Sequence, residues 1–317
     1  MKAQLVLFAL CAFMVSFRAR PARPTGPSVS EPSPLRAVVL GIAQDGGVPH
    51  IGCRQPLCVS ARHDPARRQR VACLGLIDDS SGQRFLIDAT PDLASQVDSL
   101  NEGRAAPNPR RPVDGILLTH AHVGHYAGLM YLGREALGAD RVPVLATPRM
   151  AGFLRHNDPW AQLARLGQID IREVLPGHEV AMGHFRVTPI TVPHRDEISD
   201  TVGYRVRGPS RSLLYIPDID KWERWDRRIA DEVAAVDVAL LDGTFQDAAE
   251  VPGRSLAEIP HPLVGETMGL LSAPALRARV RFIHLNHTNG LLWDPEALRG
   301  VEARGFRVAR DGDTFAL

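Results

Sequence analysis

The sequence predicts a mixed α/β protein in which two β-sheets lie face to face with helices outside them, and three observations carry that expectation. Short β-rich runs follow one another with few helices early in the chain, strand and helix alternate later, and no second linker or internal repeat interrupts residues 36–317. One domain over that span is the simplest organisation. Strands are expected at 37–42, 71–77, 84–87, 115–119, 142–146, 185–192, 213–216, 236–241 and 280–285, most of them bounded by Gly, Pro, Asp or Ser. Apolar residues recurring at helical spacing predict helices over 92–100, 125–137, 148–155, 221–234, 263–271 and 295–304.

Composition narrows the function classes. A chain of 317 residues with 44% hydrophobic and 23% charged residues can bury a sizeable core. Lys+Arg 37 against Asp+Glu 36 gives a net charge of +1, so no nucleic-acid partner is expected and a small-molecule substrate is. Four cysteines are too few to staple a protein of this size. Lys2 precedes an apolar run over residues 5–17, long enough for the core of a signal peptide and too short to span a bilayer. Residues 1–19 therefore read as a signal peptide, and the protein as exported, periplasmic or secreted, with no stable membrane span after cleavage. Residues 20–35 contain five prolines and read as an extended linker.

The histidines carry the chemistry. In Gly115-Ile-Leu-Leu-Thr-His120-Ala-His122-Val-Gly-His125 an apolar strand ends at Thr119 and three imidazoles follow. In extended chain residues i and i+2 point the same way, so His120 and His122 can close on one cation. His125, in the turn that starts a helix, can face a second position. Neutral imidazoles favour zinc and other first-row ions.

This stretch resembles the His-x-His-x-Asp-His signature of the metallo-β-lactamase superfamily, and the resemblance covers residues 36–317. It implies an αββα four-layer sandwich of two mixed sheets flanked by helices. It also implies His120, His122 and His194 as ligands of a first metal, Asp218 as the carboxylate shared between two metals, and His125 and His284 as ligands of the second. Gly124 stands where the family has aspartate, which implies one firm metal site and a weaker second one. Asp220 is the alternative to Asp218, and His287 the alternative to His284 or a residue behind it. Thr119 and Asp242 are expected to fix imidazole tautomers, and His261 lies where related phosphodiesterases place a proton donor. Zinc is the expected ion, with manganese or iron as alternatives, and a metal-bound water is the expected nucleophile.

The segments around residues 40–62 and 86–93, Leu241-Asp242-Gly-Thr-Phe and His284-Leu-Asn-His-Thr-Asn resemble the pyrroloquinoline quinone (PQQ) biosynthesis protein B family. That family carries acidic residues in place of His120 and His122, and has been linked to iron-dependent oxidation of a PQQ precursor. The histidines imply instead a zinc hydrolase of an ester, lactam, lactone or phosphodiester. The PqqB-like oxygenase and a non-catalytic metal-binding protein are the alternatives. The branch also holds a structural zinc on cysteines near the first strand; here Cys53, Cys58, Cys73 and His50 are the candidates, with a Cys53–Cys58 disulfide as the other possibility.

Overall fold

The computed structural model describes residues 34–104, 108–250, 253 and 259–317. The expected signal segment 1–19 and nearly all of the linker 20–35 lie outside the described residues. One sheet contains β1 (Leu35–Gly41), β2 (Cys73–Asp78), β3 (Gln83–Ile87), β4 (Gly115–Leu117), β5 (Val142–Ala146), β6 (Ile169–Glu173) and β14 (Thr314–Ala316), in the order β14-β1-β2-β3-β4-β5-β6. The other contains β7 (Val180–Met182), β8 (Phe185–Thr191), β9 (Val202–Arg207), β10 (Ser212–Ile216), β11 (Val238–Asp242), β12 (Val280–Ile283) and β13 (Arg307–Val308), in the order β13-β12-β11-β10-β9-β8-β7. Both sheets are mixed: β3 to β6 and β10 to β13 are parallel, whereas β1–β2–β3 and β8–β9–β10 are antiparallel.

The period of two along each strand assigns the faces. In β1 to β3, Ala37, Val39, Leu74, Leu76, Phe85 and Ile87 point into the layer shared with Val187, Tyr204 and Leu214 of the second sheet. Their neighbours Leu40, Cys73, Ile77 and Leu86 point outward, against α2 (Leu93–Leu100) and α4 (Pro148–His156). On the other side α6 (Ile229–Ala234), α7 (Val264–Leu270) and α9 (Pro295–Ala303) pack Val233, Val264 and Val301 onto the second sheet's layer. The result is the expected helix–sheet–sheet–helix sandwich.

Two expected helices are altered by tertiary contacts. The span 125–137 shrinks to a single turn (Val123–Tyr126) and a 3-10 stretch (Ala127–Leu132), because the chain is pressed against the strand end before α2: Gly128 N donates to Ala89 O at 2.9 Å, and a Cβ on Gly128 would lie 1.9 Å from Thr90 O. The span 221–234 breaks before α6 because the indoles of Trp222 and Trp225 turn inward to donate to Thr267 Oγ1 (2.8 Å) and Thr191 O (2.9 Å). Strands β6, β7, β9, β13 and β14 were not among the expected strands; all but β9 are short edge strands with polar residues and little alternation, and β9 is a central strand interrupted in sequence by Gly203 and Arg205.

One cross-sheet bond anchors the histidine loop. Tyr204 of β9 is fully buried and donates its hydroxyl to Leu118 O at 2.6 Å, two residues before His120. Replacing Tyr204 with Phe leaves that buried carbonyl unpaired. Chemical denaturation of metal-free protein should show a loss of about 1–3 kcal/mol with the fold retained; an unchanged midpoint would show that the bond does not hold the loop.

Candidate metal centre

The carboxyl ends of β4, β8, β10 and β12 converge on one edge of the sandwich. His120 and His122 follow β4, His194 follows β8, Asp218 follows β10, and His284 follows β12. His120, His122, His194 and Asp218 each point one donor atom into a common space, all within 4.8 Å of one another. Asp218 Oδ2 is the hub: it lies 3.1 Å from His194 Nε2, 3.4 Å from His120 Nε2 and 3.8 Å from His122 Nδ1. It is also 3.9 Å from Nε2 of both His125 and His284, which belong to the adjoining group.

That adjoining group contains a residue the histidine pattern did not reveal. Asp45, in the loop after β1, places Oδ1 3.4 Å from His125 Nε2 and 3.9 Å from His284 Nε2. The loop is pinned beside His284, since Gln44 N donates to Leu285 O (2.9 Å) and Leu285 N donates to Ile42 O (2.8 Å). A Cβ built on Gly124 would lie 2.2 Å from Asp45 Oδ1 and 2.6 Å from Asp45 Cα. The carboxylate missing from position 124 is therefore supplied from another strand end, and the glycine is what makes room for it. This corrects the expectation that the second group lacks a carboxylate of its own.

Asp88, at the end of β3, is the second residue missed. It is fully buried in the left-handed backbone region (φ 75°), and its carboxylate accepts from Thr119 N (2.8 Å), Thr119 Oγ1 (2.9 Å) and His125 Nδ1 (2.8 Å). Since Thr119 Oγ1 donates to Asp88, its lone pair accepts from His120 Nδ1 at 3.0 Å. That relay fixes the tautomer that turns His120 Nε2 toward the centre. His194 Nδ1 is held by Asp220 Oδ1 (3.1 Å), and His284 Nδ1 by Thr244 Oγ1 (3.0 Å). The sequence offered a signal for Asp88, a carboxylate directly after an apolar strand, whereas Asp45 lies four residues past the end of β1, where the pattern does not mark it.

The remaining expected residues divide. Thr119 and Asp220 support ligand imidazoles, so Asp220 is not the alternative to Asp218. Asp242 Oδ2 lies 2.9 Å from Nδ1 of His261, whose Nδ1 is also 3.1 Å from Asp218 Oδ1. His287 does not replace His284: it stacks on His50 with ring centroids 4.2 Å apart. Cys73 lies in the core beneath Asp88 O, apart from Cys53 and Cys58, and all three are free thiols. Among the described residues, Cys53, Cys58, Cys73 and His50 do not gather into a four-ligand set, and no Cys53–Cys58 disulfide forms.

The donor chemistry suits cations. Asp45 Oδ1, His120 Nε2, His125 Nε2, His284 Nε2 and Asp218 Oδ1 are all buried without a hydrogen-bond partner. Such a convergence of lone pairs is costly unless a positive charge meets it. Without metal, protons must serve. Burial opposes the charging of His194, but Asp218 and Asp220 outweigh it and raise its pKa to about 9. His125 is likewise raised despite burial, by Asp88 and Asp45. Burial would raise Asp218, yet the surrounding imidazoles hold it well below the usual carboxylate range.

Comparison with known proteins decides the family. Residues 83–312 match the family model described as the β-lactamase superfamily domain. The chain belongs to the metallo-β-lactamase superfamily. Within it, the chain falls in the PqqB branch. It is 30% identical over 307 residues to coenzyme PQQ synthesis protein B of Methylobacterium radiotolerans, covering 89% of this chain and 100% of the relative, and 28% identical over 313 residues to that of Methylorubrum populi, with the same coverage. Among solved structures, Zn(2+)-bound PqqB from Methylobacterium extorquens matches with a TM-score of 0.75 at 24% identity, covering 89% of this chain and all of that one. A diphosphatase from the PhnP family matches with a TM-score of 0.62 at 24% identity, covering 89% of this chain and 96% of that one.

The relatives also correct the expected export, since they are coenzyme PQQ synthesis proteins. Among the described residues no helix is long and apolar enough to cross a membrane.

The geometry gives two testable outcomes. Asp45→Ala and Gly124→Ala should lose the same fraction of bound metal, the second because its new methyl displaces Asp45. Metal analysis after dialysis checks this, and undiminished metal in Gly124→Ala would contradict the packing. Because protons occupy His194 below about pH 9, metal uptake should release protons and strengthen as pH rises from 6 toward 9. Calorimetry in buffers of different ionisation enthalpy reads the proton count, and pH-independent affinity would contradict it.

Proposed function

We propose that this protein is a two-metal hydrolase of small-molecule substrates, with His120, His122, His194 and Asp218 holding one ion and Asp45, His125, His284 and Asp218 the other. The observation that carries the reading is the Asp45 carboxylate in the space left by Gly124, which gives the second position three donors besides the shared Asp218, as many as the first has. Divalent ions bound there would make hydroxide available near neutral pH and polarise a carbonyl or phosphoryl oxygen. Zinc is the preferred ion, with manganese or iron as alternatives.

The chain's own contribution is positioning and proton transfer. Asp88, Thr119, Asp220 and Thr244 lock the outer nitrogens of the ligand rings, so the reacting face is preorganised. His261 is held between two carboxylates, Asp242 at 2.9 Å and Asp218 at 3.1 Å. Burial works against its charge, but those carboxylates raise its pKa to about 10. With Nδ1–H engaged there, its Nε2–H is the proton available to a leaving oxygen, and this makes His261 the general acid.

His261→Gln should lower kcat about 100- to 10,000-fold on esters or phosphodiesters with alkoxide leaving groups, and far less on nitrophenyl substrates, with metal content unchanged. Equal losses on both classes would remove the general-acid role. A second reading is favoured by the relatives' name: a PqqB-like iron-dependent oxygenase acting in PQQ biosynthesis. Iron-loaded protein that consumes dioxygen with a PQQ precursor, while zinc-loaded protein hydrolyses no ester, lactam, lactone or phosphodiester, would establish that reading over the first.

A further inference from the structure

The sandwich is open along one side. There the end strands of the two sheets, β13 and β14, line a groove of about 760 Å³, a size that suits a small molecule. Three arginines, Arg281, Arg307 and Arg310, reach this groove, and among the described residues none of them forms an ion pair. The two acids of the lining leave their charge in place. Asp313 Oδ2 accepts from Arg310 N at 2.9 Å, and Glu302 is an exposed residue of α9.

The strand pairing makes this arrangement unfavourable on its own. β12 and β13 are parallel, and their register sets Arg281 directly beside Arg307. Side chains in register on neighbouring strands share a face, and like charges so placed repel. Water screens them incompletely, because Arg281 is half-buried. Its guanidinium lies 5.8 Å from the centre of the Phe315 ring on β14, and its Nη1 donates to Ala278 O at 3.0 Å and to Val280 O at 3.3 Å. Burial lowers the pKa of Arg281, and Arg307 and Arg211 lower it further, with Asp313 working against them. The side chain is thus held as a cation among cations. Covering the apolar layer would need the stem alone, which a methionine supplies without the repulsion.

We propose that this groove is a binding site separate from the metal centre, taking the oxyanion of a phosphorylated small molecule, which bridges Arg281 and Arg307 and lays an apolar body against Phe315. A phosphate has oxygens for two guanidinium forks at once, and its charge offsets both. The site goes beyond the hydrolase reading and does not depend on it. Arg281 is the second residue of β12, and His284 follows the last, so the two sites draw on different ends of one strand.

The test is calorimetry with inorganic phosphate on the full zinc-loaded chain at fixed ionic strength. Arg281→Gln and Arg307→Gln should each weaken phosphate binding in the groove about 10- to 100-fold, with zinc content unchanged. Any phosphate taken up by the zinc ions persists in both variants, so identical titrations of wild type and Arg307→Gln overturn the proposal. Acetate at the same concentration should not compete; acetate that displaces the phosphate would assign the groove to a carboxylate and overturn the phosphate assignment. Thermal unfolding gives a second reading, and it rests on the exposed Arg307 in case the half-buried Arg281→Gln fails to fold. Without phosphate, Arg307→Gln should melt above wild type, since the repulsion is gone, and added phosphate should raise wild type more than the variant. A variant that melts below wild type without phosphate, or that gains as much from phosphate, overturns the proposal.

Discussion

The buried carboxylate of Asp218 is the constraint on which the centre depends. Its Oδ2 faces five imidazoles, and its Oδ1 lies 3.1 Å from a sixth, that of His261. A buried anion persists only when surrounded by positive charge or donors, and neutral imidazoles facing one another offer neither. The group must take up either protons or metal ions. The raised pKa values of His125, His194 and His261 describe the protonated solution, and the unpartnered Nε2 atoms of His120, His125 and His284 describe the other. Fold and chemistry are thus linked through charge, because the strand ends can hold these side chains together only while cations of one kind or the other are present.

The same economy explains the Asp45–Gly124 exchange. What matters at the second position is a carboxylate within reach of His125 and His284, not the strand it comes from. The loop after β1 is fastened beside β12 by backbone bonds to Leu285, so Asp45 is held as rigidly as a residue of the His120–His125 turn would be. Substituting across the sandwich leaves a geometric trace, the close approach of Asp45 to a residue that must be glycine.

Much of this was legible in the chain. Residue types with strong chemistry at the ends of apolar strands, His120, His122, His125, His194, Asp218 and His284, marked the edge where the strands converge. The β-rich runs at 37–42, 71–77 and 84–87 marked β1 to β3. The unread parts share a cause, since each depends on contacts far apart in sequence. Asp45 and Gly124 are 79 positions apart, so nothing local in either signals the other. Asp88 looked like an ordinary strand-end acid until Thr119 and His125 folded onto it. The helix expected over 125–137 had the right periodicity, but the carbonyl of Thr90 left no room for it to continue. The apolar run at residues 5–17 had the composition of an export signal, an expectation that the match to coenzyme PQQ synthesis proteins overturned.

The central claim is that Asp45 replaces the carboxylate absent at position 124 and so completes a second metal position sharing Asp218 with the first. Anomalous diffraction from crystals of the metal-loaded protein tests it most directly. The account predicts two ions about 3.5–4 Å apart, one bound by His120, His122 and His194, the other by Asp45, His125 and His284, with Asp218 reaching both. A single ion on the three histidines, with the Asp45 carboxylate turned away from His125 and His284, would contradict it.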